Sequence, residues 1–301
     1  MRPYIIAHFS DLHICDIKNI RFKDLLNKRL YGYLSYKIHR GKKFNSTILH
    51  YLAEDLTNLS PDHIVITGDL THLSLRADYD SILKLLTSLG DSSKITIIPG
   101  NHDFYIPGMG NIALNLWRNY MISDNTLTKE VTFPFLRIRD DIALIGVNTS
   151  HTTPPFFAYG HLGSEQLTAL NNILSKLDDN LFTVLLIHHP PLKGVVSPRK
   201  ELKDIKEFYG ISYLHKIKLM LHGHSHYLSF NKLKTNGMYI PVFGVPSILS
   251  IKNDKNKISS YNIYCIDQRN NHTEVIIQTR SFSLSDKKFE IAGKNTITIP
   301  L

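Results

Sequence analysis

Apolar residues along this chain follow two alternating rhythms. Unbroken apolar runs at 4–9 (YIIAHF), 63–67 (HIVIT), 94–98 (KITII), 142–147 (IALIGV), 183–187 (TVLLI) and 217–221 (IKLML) predict buried β-strands. Between them, apolar residues recur at three- and four-residue spacing over 44–59, 74–89, 109–121 and 163–177, with Ser or Asn near several starts, which predicts amphipathic helices. Strand and helix alternating in this way predict an α/β fold. From about 237 the rhythm turns strand-rich, in MYIPVFGV, SYNIYCID and EVIIQTRSF. That part is expected to complete a second sheet and to offer a homodimer surface. With no repeat, low-complexity tract or long linker in view, residues 1–301 are expected to form a single domain.

Composition narrows the class. A chain of 301 residues with 43% hydrophobic and 20% charged residues is globular and long enough for a substantial core. Cys15 and Cys265 are too few for a disulfide framework and fit no thiolate zinc motif, so a reducing, cytoplasmic compartment is expected. The first residues, MRPYIIAHFSDLH, run into Asp and His with no small-residue cleavage site, so no signal peptide is expected. No stretch approaches the ~20 apolar residues that cross a bilayer, which leaves contact with a membrane face open but not spanning.

Strand ends carry the chemistry. Every strand-like run in the first three quarters of the chain except IALIGV leads at once into residues that can hold a metal: Asp11 and His13, Gly68-Asp69, Gly100-Asn101-His102-Asp103, His188-His189, and His222-Gly223-His224-Ser225-His226. In open α/β sheets the loops at the carboxyl ends of strands converge on one crevice. A lone histidine there is more often a solvated loop residue, and His8, His50, His63 and His215 keep that reading. Five clusters in series are another matter. Asp11-x-His13 and His224-x-His226 have the spacing that puts two side chains on one face of an extended strand, and Gly68, Gly100 and Gly223 allow sharp turns or close approach. Carboxylate with imidazole and no thiolate suits Mn, Fe, Zn, Ni or Co and leaves the metal open.

In order, SDLH, TGDL, PGNHD, HHPP and GHSH resemble the motifs of the calcineurin-like metallophosphoesterase superfamily, within it the bacterial branch similar to class III cyclic nucleotide phosphodiesterases. The resemblance spans residues 9–226 and implies a four-layer α-β-β-α sandwich of two mixed sheets with a dinuclear metal centre at the sheet edge. It implies Asp11, His13 and His226 on one metal, Asn101, His188 and His224 on the other, Asp69 bridging both, and His189 behind His188. His102 is then the general acid or leaving-oxygen stabiliser, with Asp103 orienting its ring. Charge counting agrees: two divalent ions against two aspartates and one bridging hydroxide leave a surplus of about +1 for an anionic phosphate. Asn101 binds without cancelling that surplus. The reaction implied is attack of a metal-bridging hydroxide on a phosphodiester or pyrophosphate, for which a two-metal clamp lowers the pKa of water from about 15.7 towards about 7.

Substrate is less legible. The formal net charge of +9 is concentrated in residues 18–43, where Lys18, Arg21, Lys23, Lys28, Arg29, Lys37, Arg40, Lys42 and Lys43 face Asp24 as the only acid. Within the insertion at 16–44, Phe22, Leu25, Leu26, Leu30, Tyr33, Leu34 and Ile38 form a broad helical stripe interrupted at Gly32. Three readings apply: a lid packing its apolar side on the body, contact with anionic lipid at the inner membrane face, and nucleic-acid contact, the last weakened by the lack of a longer basic track with interleaved aromatics. A nucleotide or nucleotide-containing substrate follows from the resemblance. The alternative is a lipid-linked nucleotide, as for the lipid A precursor pyrophosphatases of the same superfamily, which carry Arg where this chain has His102. A non-catalytic, metal-ordered scaffold is the third reading. His72 stands where relatives continue with an acidic residue, and His151 and His161 lie in a loop expected near the site.

Overall fold

The computed structural model describes residues 2–17, 20–40, 45–124, 130–235, 237–269 and 272–300, with backbone only at 39 and 40. Lys18, Lys42 and Lys43, and the side chain of Arg40, therefore lie outside what is described here.

Among these residues the strands form two six-stranded sheets. The first runs β12-β11-β10-β1-β2-β3 and the second β4-β5-β6-β7-β9-β8. In the first, β1 (Tyr4–Phe9), β2 (His63–Ile66) and β3 (Ile95–Ile97) are parallel neighbours. The antiparallel series β10 (Ser260–Gln268), β11 (His272–Ser283) and β12 (Lys288–Pro300) extends that sheet from the other side of β1. In the second, β5 (Ile142–Gly146), β6 (Phe182–Ile187), β7 (Ile217–His222) and β9 (Met238–Gly244) are parallel, flanked by antiparallel β4 (Phe135–Arg139) and β8 (Ser229–Thr235). Both sheets are mixed, as expected. The part from about 237 does not complete the second sheet: of its strands only β9 joins it, between β7 and β8, and β10 to β12 pair outward from β1.

Strand periodicity explains the layers. Along β5, β6 and β7, Leu144, Val184, Leu186, Leu219 and Leu221 point into the core between the sheets, which also takes Phe9, Ile66 and Ile97. The alternate residues Ala143, Ile145, Leu185, Ile187 and Met220 enter a separate outer core with Leu170 and Leu174 of α5 (Ser164–Lys176) and Phe208 of α6 (Ile205–Tyr209). Helices α2 (Ile48–Leu59), α3 (Arg76–Leu89) and α4 (Met109–Trp117) cover the first sheet through Leu52, Leu56, Tyr79, Ile82, Leu86 and Trp117. Because both faces of the central parallel strands are covered, their sequences are continuous apolar runs. Their carboxyl ends open at one edge.

The basic insertion is built otherwise. A 3-10 turn at Phe22–Leu25 is followed by α1 (Arg29–Ser35) and a π turn at Tyr36–Arg40. Gly32 does not interrupt the helix. It sits buried within α1, where an added Cβ would come 2.6 Å from Leu73 and 3.0 Å from Tyr105, so its bare Cα lets the helix approach the sheet edge. Arg29, also buried, donates from Nε to the Leu73 carbonyl (2.8 Å) and from a terminal nitrogen to that of Ser74 (2.6 Å). Lys28 Nζ donates to the carbonyl of Thr153 at 2.8 Å. Of the apolar stripe, Phe22, Leu26, Leu30, Leu34 and Ile38 are exposed while Leu25 and Tyr33 are half-buried, so most of the stripe does not pack on the body as a lid would. Among the described residues, no helix is long and apolar enough to cross a membrane.

Candidate metal centre

Five loops bring the expected side chains to one place. Asp11 and His13 follow β1, Asp69 follows β2, Asn101 and His102 follow β3, His188 follows β6, and His224 and His226 follow β7. The pairs 11/13 and 224/226 are not on extended strand, as their spacing suggested. Asp11, His13, Asp69, His224 and His226 are all left-handed, with φ between 48° and 63°. For residues with a Cβ this conformation costs on the order of 1 kcal/mol each. Tethers hold it: Asp11 N–H donates to Gly68 O (3.0 Å), His13 N–H to Asp69 O (2.9 Å), and His224 N–H to Asp11 Oδ2 (3.0 Å). The glycines serve close approach. A Cβ on Gly100 would land on the amide and carboxylate of Asp69, and one on Gly223 would land on the Ser10 hydroxyl.

Among the described residues, donor atoms gather into two sets that share Asp69, beside a third group of imidazoles alone, His13, His72 and His102. Asp11, His13, Asp69 and His226 form one, and Asp69, His188 and His224 the other. In the first, His13 Nε2 lies 3.0 Å from His226 Nε2 and 3.7 Å from both Asp11 Oδ1 and Asp69 Oδ2, while His226 Nε2 is 3.1 Å from Asp11 Oδ1. In the second, His188 Nε2 is 3.4 Å from Asp69 Oδ1 and 3.3 Å from Asn101 Oδ1. Donors bound to one ion at about 2.0–2.2 Å stand roughly 3 Å or slightly more apart. The residues present fit a pair of cations, and their chemistry, imidazole nitrogen with carboxylate and amide oxygen, suits the metals expected.

Second contacts choose the nitrogen that faces inward. His188 Nδ1 is 2.7 Å from the Thr67 carbonyl, so it carries the proton and leaves Nε2 as donor. His224 Nε2 is 3.1 Å from the Lys200 carbonyl, which leaves Nδ1. Electrostatics points the same way. Burial works against charge on His188, but Asp69 and then Asp11 outweigh it and push its pKa up to about 9. For Asp11, burial alone would raise the pKa, yet His226 and His188 hold it down to about 2. These carboxylates draw positive charge into a buried site.

His102 is half-buried, and its ring is stacked between those of His72 (4.9 Å, 17°) and Tyr105 (5.4 Å, 3°), edge-on to His13 at 4.7 Å. Its Nδ1 is 2.7 Å from the His72 carbonyl and its backbone N–H donates to Asp69 Oδ1 at 2.7 Å. Asp103, expected to orient this ring, is bonded to the backbone around it. Its carboxylate accepts from the backbone N–H groups of Leu70 (3.2 Å), Thr71 (2.8 Å) and Gly100 (2.8 Å) and from the Thr71 hydroxyl (3.0 Å), joining the loops after β2 and β3. Burial, then Asp69, pushes its pKa up to about 7 against those donors.

His189 supports the site from behind, between Thr149 Oγ1 (2.7 Å) and the Ala158 carbonyl (3.1 Å), its ring 4.3 Å from that of His224. His8 and His63 are buried strand residues on Thr67 and Thr96, not solvated loop residues. His222 is likewise fully buried, bonded through Nδ1 to the Gly223 carbonyl (2.9 Å). His151 and His161 face each other at 6.4 Å in the neighbouring loop, outside both donor sets. The flanking rings of His72 and Tyr105 and the anchoring role of Arg29 were not read from the sequence. Only the unusual His72 gave a signal.

The sequence model of the family described as calcineurin-like phosphoesterase matches residues 4–228. The chain belongs to the calcineurin-like phosphoesterase family. A curated relative from Vesicomyosocius okutanii named "Probable cyclic nucleotide phosphodiesterase" is 26% identical over 175 residues, covering 57% of this chain and 65% of that protein. An "Uncharacterized metallophosphoesterase" from Helicobacter pylori strain J99 is 24% identical over 205 residues, 68% of this chain and 46% of that one. The matched stretches thus span less than two thirds of either relative. Among solved structures, a dimetal phosphatase from Danio rerio superposes over 99% of this chain and 100% of its own with a TM-score of 0.64 at 11% identity, a likeness of fold. The calcineurin-like phosphoesterase chain thus has the two-sheet architecture expected of it.

Proposed function

We propose that the chain is a dinuclear-metal phosphohydrolase that cleaves a phosphodiester or pyrophosphate bond in a nucleotide or nucleotide-containing substrate. The observation that carries this is Asp69, whose two carboxylate oxygens face different donor sets: Oδ1 towards His188, Oδ2 towards His13. Asp11, His13 and His226 would hold one ion, Asn101, His188 and His224 the other, with Asp69 between. Two divalent ions supply charge to polarise a phosphoryl oxygen and an activated water as nucleophile.

The remaining task is a proton for the leaving oxygen. His102 has its Nδ1 committed to the His72 carbonyl, so Nε2 is where a mobile proton resides. Stacking by His72 and Tyr105 fixes the plane of the ring, and partial exposure gives substrate access to it. An imidazole placed this way can protonate a departing alkoxide near neutral pH. Asp103 acts through the backbone by keeping the two loops together.

The name borne by the Vesicomyosocius relative supports a nucleotide diester. A lipid-linked nucleotide is the second reading, favoured by the exposed apolar row of 22–38 beside the site. Turnover of His102→Ala on aryl diesters of graded leaving group tests the acid. The loss should reach about 10²–10⁴ on poor leaving groups and shrink as the leaving group improves. Equal losses across the series would refute the assignment. Parallel assays of a cyclic nucleotide and a nucleotide-diphospho-lipid separate the two substrates.

A further inference from the structure

The segment 22–40 inverts the usual arrangement of a helix on a protein. Its buried positions are Arg29 and Gly32, while Phe22 (79% exposed), Leu26 (69%), Leu30 (42%), Leu34 (46%) and Ile38 (67%) face out at every fourth residue. The row does not end with the segment: Phe156, 70% exposed, lies with its ring 5.3 Å from that of Tyr31, and Phe157 beside it is also exposed. A contiguous apolar surface of this kind marks a place of contact.

We propose that this apolar row and the basic side chains around it dock the protein on an anionic lipid surface. Two features select lipid. First, residues 18–43 hold nine basic residues and one acid, and among the described ones Lys28 and Arg29 are bonded to the body through Thr153, Leu73 and Ser74 while Arg21, Lys23 and Lys37 are exposed. Each remaining basic head near a negatively charged bilayer adds to the attraction. Second, the outward side chains are mostly aliphatic, which suits acyl chains and gives little to stack on nucleic-acid bases. A second copy docking here would bring the same positive charge against itself.

The contact would also fix the orientation of the crevice. The ring of Tyr36 is 5.3 Å from that of His72, which stacks on His102, and Gly32 lies against Tyr105. Docking through the outward face therefore holds the donor sets at the lipid surface. This inference is independent of hydrolysis, since its readout is binding.

The full chain is sedimented with phosphatidylcholine vesicles, with and without phosphatidylglycerol, at low and high salt. Wild type should partition onto the phosphatidylglycerol vesicles and be released by salt. The triple variant Phe22→Ser, Leu26→Ser, Ile38→Ser should lose about tenfold or more in partitioning. Arg21→Glu, Lys23→Glu, Lys37→Glu should lose about as much at low salt. Both should keep the wild-type melting temperature and turnover of a soluble aryl diester. Absence of wild-type binding, equal binding to both vesicle types, or binding that neither variant weakens overturns the proposal. So does a wild-type dimer that the serine variant dissociates without any vesicle binding, which would assign the row to a second copy.

Discussion

The strand-end crevice and the 22–40 segment break the same rule in opposite directions. In the crevice, Asp11, Asp69, Asp103, His188 and His224 are buried charges and polar rings; in the segment, Phe22, Leu26 and Ile38 are apolar side chains in the open. Buried charge persists when something pairs with it, and exposed apolar surface when something covers it. The counterparts proposed above are cations in one case and a lipid face in the other. The two regions also differ in how they are held. Hydrogen bonds between loops hold Asp11, His13, Asp69, His188 and His224 in the crevice, whereas the segment is pinned mainly by Arg29, Lys28 and the close contact at Gly32. Chemistry needs fixed positions; a surface contact tolerates a looser mount.

Changes on the crevice side should be the more damaging. His188→Ala removes a donor from the set shared with Asp69 and should lower aryl diester turnover by about a thousandfold or more, measured at saturating manganese, while vesicle binding is unchanged. Loss of both together would join regions held here to be separate.

Gly100→Ala drives a methyl group into the Asp69 backbone, where no flexible side chain can yield. A destabilisation of roughly 1–3 kcal/mol should appear in urea unfolding, with weakened metal affinity. A variant as stable as wild type would show that the loops after β2 and β3 are less tightly joined than described.

On the segment side, Arg29→Met keeps the apolar stem but leaves the carbonyls of Leu73 and Ser74 without that donor. It should cost about 1–3 kcal/mol, and hydrogen exchange should rise across 22–40 while β1 to β3 stay protected. Uniform exchange throughout would contradict a separately pinned segment.

The smallest effect concerns Asp78, which lies between the two regions and accepts the Asp16 N–H at 2.9 Å. Burial pushes its pKa up to about 7. A carboxyl raised above its unfolded value favours the fold fully below about pH 4, and that contribution is lost as pH rises through about 7. Asp78→Asn should therefore stabilise the protein more at pH 8 than at pH 5, by roughly 1–2 kcal/mol, read from thermal melts. An equal shift at both pH values would place the charge elsewhere.

Much of this was legible in the sequence, for identifiable reasons. The central strands are covered on both faces and therefore appear as apolar runs, and the clusters at their ends are separated by recognisable helices. The strands that went unread, β4, β8 and β12, are all sheet edges. An edge strand is half solvated and carries charge, as in the KLKT end of β8 and the KFEIAGKNT part of β12, so neither continuous burial nor clean alternation marks it. In the site, donor identity was legible because it depends on side-chain type. The left-handed backbone at Asp11 and His224, the His72 carbonyl that holds His102 and the backbone bonds of Asp103 were not, because they depend on main-chain geometry that no residue type encodes.

The central claim is that Asp69 joins two metal positions. Manganese titration followed by low-temperature electron paramagnetic resonance tests it on wild type and Asp69→Asn. Wild type should take up two ions per chain with an exchange-coupled spectrum, and the variant should lose the coupling. A single ion in wild type, or coupling undiminished in the variant, would contradict the account.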